Sequence, residues 1–171
     1  MKRTTIAGLL STIMAASCIS IASAQSNGPT GISARIGAFM PSNDLASQLG
    51  KTWFGFGVDY KLNSMSASTP VNNSQGYFGI SADYYAHGSE DDVPVAFTYN
   101  LRQGQIVWSA GIGPDFRNAG QLTSTGVGIG EQIAFTYELG GSRTPIFLQA
   151  KYFFSSMPEL SGFGVYLGAR F

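Results

Sequence analysis

Beyond residue 24, eight segments alternate between apolar side chains and small or polar ones, residue by residue. No stretch there offers the roughly 20 consecutive apolar residues that a membrane-crossing helix needs. A period of two is the mark of a strand with one apolar face. In 53–62, Phe54, Phe56, Val58, Tyr60 and Leu62 oppose Trp53, Gly55, Gly57, Asp59 and Lys61. Residues 77–86 repeat the pattern, with Phe78, Ile80, Ala82 and Tyr84 against Gly79, Ser81, Asp83 and Tyr85.

The remaining segments pair off as hairpins. Val93–Leu101 and Ile106–Ile112 flank a turn at Gln103-Gly104, and Ile133–Leu139 and Ile146–Phe154 flank Gly140-Gly141. A last strand covers 163–171. A first one, near 31–40, has the weakest contrast, with Ile32, Ala34, Ile36 and Ala38 opposite Ser33, Arg35, Gly37 and Phe39. The expected fold class is all-β, an antiparallel up-and-down transmembrane β-barrel of eight strands.

The distribution of charge decides which face points inward. One face of every strand is almost free of charge, while the other carries Arg35, Asp59, Lys61, Asp83, Arg102, Glu138, Lys151 and Arg170. A barrel in water would bury its apolar face, and the bore of eight strands has no volume for so many large side chains. Placed in a bilayer, the apolar face meets hydrocarbon and the charged one fills the lumen as a mutually neutralising network. The inward glycines, among them Gly37, Gly55, Gly57, Gly79 and Gly164, are then expected to make room for long Arg and Lys side chains. Charged residues make up only 12% of the chain, against roughly 25% in soluble domains, and this inversion accounts for the shortfall. Glu131 is the exception, falling by parity on the lipid face near the outer end of its strand unless a bulge turns it inward. Tyr60, Tyr99 and Tyr137 at one set of strand ends, with Tyr84 and Phe154 at the other, fit two interfacial aromatic belts.

The first 24 residues read as a Sec signal peptide: Lys2 and Arg3, an apolar core from Ile6 to Ile21, and Ala22-Ser23-Ala24 before the expected cleavage. Residues 25–30 form a short N-terminal segment and 31–171 the barrel. The only cysteine, Cys18, lies in the leader. Acylation there is the alternative, but the leucine-like residue expected three positions before it is missing. Loss of Lys2 and Arg3 takes the basic residues from ten to eight against ten acidic ones. Nucleic-acid binding is thereby disfavoured, since it needs a basic face. No cofactor or metal is expected.

With these features together, the chain resembles the small eight-stranded bacterial outer-membrane barrels of the OmpA-transmembrane, OmpX and OmpW kind. The C-terminal row Phe163, Val165, Leu167, Ala169 and Phe171 is similar to the assembly signal of that class. The resemblance implies outer-membrane location after Sec export and delivery by the barrel-assembly machinery. It also implies contact with outer-membrane lipid and lipopolysaccharide, and a monomer. The class usually has short periplasmic turns, whereas Asn63 to Gln75 reads here as a long polar periplasmic connection. The outer loops are expected near 41–52, 87–92, 114–125 and 156–161.

Three functions are open at this point: a non-enzymatic envelope or surface-interaction protein with a plugged lumen, a narrow channel or carrier for small solutes, and a lipid A-modifying hydrolase. The last rests on His87-Gly88-Ser89, since lipid A deacylases of the outer membrane carry a His-x-Ser pair. Against it, Glu90 stands where that family has Asn, and His87 and Ser89 continue the lumen-facing parity rather than facing lipid. Glu90-Asp91-Asp92 reads as a solvated acidic loop, with divalent-cation binding as an alternative. Asn72-Asn73-Ser74 is a chance sequon, and Gly126–Gly130 starts a strand rather than forming a phosphate loop, because no Lys follows.

Overall fold

A computed structural model of the chain describes residues 31–68, 74–118, 125–140 and 145–171. The leader at 1–24 with Cys18, the segment 25–30, and Asn72 and Asn73 of the sequon lie outside these residues.

Each alternating segment forms a strand. In chain order they are β1 (Ile32–Pro41), β2 (Trp53–Ser68), β3 (Gln75–His87), β4 (Glu90–Gln103), β5 (Ile106–Asn118), β6 (Gly126–Leu139), β7 (Ile146–Ser155) and β8 (Gly162–Arg170). Every strand pairs antiparallel with its sequence neighbour, and β1 pairs with β8 from Ser33↔Arg170 to Pro41↔Gly162, which closes the barrel. The weakest strand in the sequence is therefore the one that seals the sheet. Two of the connections are two-residue turns, at Gly88-Ser89 and Gly104-Gln105. Gly88 and Gly104 supply the positive φ, 63° and 59°, that such turns require. The short helix α1 (Asp44–Leu49) and a single 3-10 turn (Pro158–Leu160) lie at the same end as Gly88, called here the upper end. The lower end is where β1 starts and β8 finishes.

The outward face is the apolar one. Ile36, Phe54, Ile80, Phe97, Ile112, Ile133, Leu148 and Leu167 are all exposed, as are Tyr60, Tyr99 and Tyr137 in the lower belt and Phe154 in the upper. A closed ladder leaves no unpaired edge, and this surface suits hydrocarbon and not water. Glu131 stays outward, because the β6 register runs unbroken through Ile112↔Glu131 and Glu131↔Phe154, so there is no bulge to turn it in.

Two expectations need correction. The stretch from Asn63 to Gln75 is not mainly a loop: β2 runs on to Ser68 and pairs with β3 after a register shift between Leu62 and Ser66. Beyond Lys61 this ribbon has no β1 partner, so it leaves the closed wall and needs no apolar face. Glu90-Asp91-Asp92 is likewise not a solvated loop. These residues open β4, with Glu90 and Asp92 buried in the lumen and Asp91 on the other face, accepting a 3.1 Å hydrogen bond from Asn118 Nδ2.

If the outward face meets hydrocarbon, its tolerance for charge should depend on depth. Ile133→Arg, midway along β6, should cost about 2–4 kcal/mol, and Val127→Arg, at the upper end of the same row, about 0–1 kcal/mol. Urea unfolding of the protein in phospholipid vesicles measures both; equal costs would count against a membrane-spanning wall.

Candidate functional site

The lumen is divided by height into three layers, each built by inward positions of several strands. At the centre stands Arg35 of β1, only 2% exposed. Its guanidinium pairs with Asp59 of β2 and, at 2.6 Å, with Asp83 of β3, and it donates to Ser81 Oγ at 3.0 Å. Lys151 of β7 reaches the same Asp83 from across the bore and donates to Ser81 Oγ at 3.3 Å. Two cations and two carboxylates therefore balance in one network. Gly57 faces it, and a Cβ at that position would lie 2.6 Å from Arg35 Nε.

Below this layer, Glu138 takes two guanidiniums at once, Arg102 on one oxygen and Arg170 on the other at 2.7 Å. Lys61 belongs to neither cluster; its ammonium lies 4.8 Å from the centre of the Tyr77 ring. The eight lumen charges expected from the sequence thus form a group of four, a group of three and a single lysine. A polar cavity of about 280 Å³ lies among them, walled by Ser33, Thr98, Ser109, Gln149 and other small or polar side chains.

Above it the lumen is aromatic. Phe39 stacks on Tyr85 at 4.3 Å and meets Trp53 edge-on at 6.2 Å, and Phe153 lies 5.8 Å from Tyr85. Tyr166 sits over Arg35, with the guanidinium carbon 5.9 Å from the ring centre. Ala46 of α1 and Leu160 of the 3-10 turn, both buried, close the group from above. Sequence parity placed these rings inward without marking them as a plug, because an aromatic on the polar face of an alternating strand carries no further signal. The inward glycines need the same correction. A Cβ at Gly37 or Gly55 would lie 2.9 or 2.7 Å from Tyr166, and one at Gly162 or Gly130 would lie 2.5 Å from Phe39 or Phe153. Most of the room goes to rings; Gly57 is the clear case of room for arginine.

At the upper end the His87 and Ser89 pair is not assembled. The His87 ring stacks on Trp53 at 6.2 Å and lies so close to Gly50 that a Cβ there would sit 2.5 Å from the imidazole. Ser89 is exposed in the turn, with no hydrogen bond to His87 among the described residues. Glu90, Asp92 and Asp115 are buried nearby, and Ser155 donates to Asp115 at 2.6 Å. Among the described residues no group of three or more His, Cys, Asp or Glu is arranged to hold a metal ion. The row Phe163, Val165 and Leu167 faces outward on β8, with Ala169 and Phe171 half-buried below it.

Neither a protein-family model nor a curated protein matches the sequence. Solved structures do. The Yersinia pestis outer membrane protein Ail, determined in a phospholipid bilayer nanodisc, aligns over 85% of this chain and all of its own, with a TM-score of 0.50 and 14% identity. The outer membrane enzyme PagL aligns over 81% of this chain and 97% of its own, with a TM-score of 0.51 and 16% identity. The chain has the small outer-membrane barrel fold. At these identities the likeness is one of fold, and it extends to Ail and to the enzyme PagL alike.

Removing one member of the central network strands the others. Arg35→Met leaves Asp59 and Asp83 with only Lys151, and should destabilise the barrel by about 3–5 kcal/mol. Replacing both Asp83 and Lys151 by apolar residues of similar size should cost less than Lys151→Met alone. Denaturant unfolding in vesicles, read by tryptophan fluorescence, compares them.

Proposed function

We propose that the chain is an integral protein of the bacterial outer membrane, exported by the Sec route, with a structural or surface-interaction role carried by its upper loops and a lumen that does not conduct. The observation that carries this reading is the stacked closure of the bore. A balanced ionic layer spans it, an aromatic plug lies directly on that layer, and Ala46 and Leu160 cover the plug. Wide aqueous pores take roughly 16–18 strands, whereas eight leave a bore that side chains fill.

In this reading the lower end faces the periplasm. The C-terminal row Phe163, Val165, Leu167, Ala169 and Phe171 serves as the sign read by the assembly machinery. Lipid and lipopolysaccharide contact the outward apolar face, and the barrel acts as a monomer. Planar-bilayer recording of refolded protein should give no discrete openings; openings that disappear on Arg35→Met or Lys151→Met would overturn the plug.

The hydrolase alternative has little support in the geometry, since His87 is engaged with Trp53 and Gly50. Mass spectra of lipid A from cells expressing the wild type and His87→Ala should be identical. A difference between them would instead favour an enzyme.

A further inference from the structure

The charges of the lower lumen do not balance. Arg35 and Lys151 are matched by Asp59 and Asp83, but Arg102, Arg170 and Lys61 share only Glu138. Lys61 forms no ion pair with a side-chain carboxylate among the described residues, and its ammonium lies over the face of the Tyr77 ring. Counted over side chains, two positive charges are left over, and Lys61, Arg102 and Arg170 all line the 280 Å³ cavity. The rest of that wall is rich in hydroxyl and amide groups, among them Ser33, Thr98, Asn100 and Ser109. The ionic layer and the aromatic plug close the cavity above, so it opens toward the lower end alone.

We propose that this cavity is a dead-end binding site for a small soluble oxyanion, an inorganic phosphate or a compact polycarboxylate, that enters from the lower end. Low-dielectric walls concentrate the field of the unmatched cations in a cleft, which raises the local concentration of anions. Arginine forks and hydroxyl donors are suited to the oxygens of phosphate and carboxylate. The cavity is at the lower bound of the roughly 300–1,000 Å³ typical of small-molecule pockets, which limits the ligand to a few heavy atoms. The continuous β wall keeps acyl chains out, so the source is soluble anion rather than a lipid headgroup. Asp59 also borders the cavity, but Arg35 holds its charge, and the unmatched cations set the sign of the site.

The test uses the protein refolded in phosphatidylcholine nanodiscs, titrated with inorganic phosphate and separately with citrate at ionic strength held constant with chloride. Backbone amide NMR shifts are followed at Gly79, Thr98 and Ser109. Saturable shifts confined to the lower lumen are expected. Lys61→Gln with Arg102→Gln leaves Glu138 paired with Arg170 and the rim neutral, and should weaken binding at least tenfold. Lys61→Gln alone, which touches no ion pair, should weaken it about threefold and covers the case in which the double variant does not fold. Ser109→Trp fills the cavity without altering charge and should abolish the response, with heat-modifiable gel migration confirming that the barrel is intact. Shifts that grow linearly without saturating, an unchanged affinity in folded Lys61→Gln or the double variant, or an undiminished response in folded Ser109→Trp would each overturn the proposal.

Discussion

Every backbone amide and carbonyl in the wall must find its partner in another strand, because the apolar surface outside offers it none. The β1–β8 ladder is what makes that possible. Without it two edges would stand open in hydrocarbon, and no arrangement of the other seven ladders could remove them. Closure brings Arg35, Gly37 and Phe39 of β1 next to Gly168, Tyr166 and Gly164 of β8, so the strand with the weakest contrast also supplies the centre of the lumen. Its weak contrast is part of that role: Arg35 and Phe39 both point into the bore and are buried there.

Once closed, eight strands leave a narrow interior, and the second constraint follows from its volume. A buried charge is costly unless its partners are in place, and a ring packs only where its neighbours lack side chains. The chain meets both demands by separating them in height. Arg35, Asp59, Asp83 and Lys151 satisfy one another at mid-depth, and Tyr166, Phe39, Tyr85 and Phe153 fill the space above, against glycine backbones on β1, β2, β6 and β8. The lower third has an excess of cationic side chains, and a cavity persists among them.

Much of this architecture was legible in the alternation. The eight strands, their order, the side that faces outward and eight of the inward charges follow from period two combined with the position of charged residues. The limits of the strands did not. Asn63–Ser68 carries only Met65 and Ala67 as apolar residues, yet it is strand that pairs with β3 again from Ser66, because a two-stranded ribbon beyond the closed wall has no hydrocarbon to face. Glu90 and Asp92 look like loop residues in sequence, and backbone pairing with β3 and β5 carries them into the lumen. His87 and Ser89 share parity and lie two residues apart, but Trp53 and Gly50, more than 30 positions earlier, decide where the imidazole packs.

What the sequence by itself determined is the pattern of faces. Successive side chains of a strand point to opposite sides, so a list of residues already separates wall from lumen. Only the tertiary structure decided which inward residues meet. Partnership across the bore depends on strand tilt and register, which bring Lys151 to Asp83 from 68 positions away and leave Lys61 beside Tyr77 instead of a carboxylate. Neighbours in the lumen are set by that geometry, and period two carries no information about it.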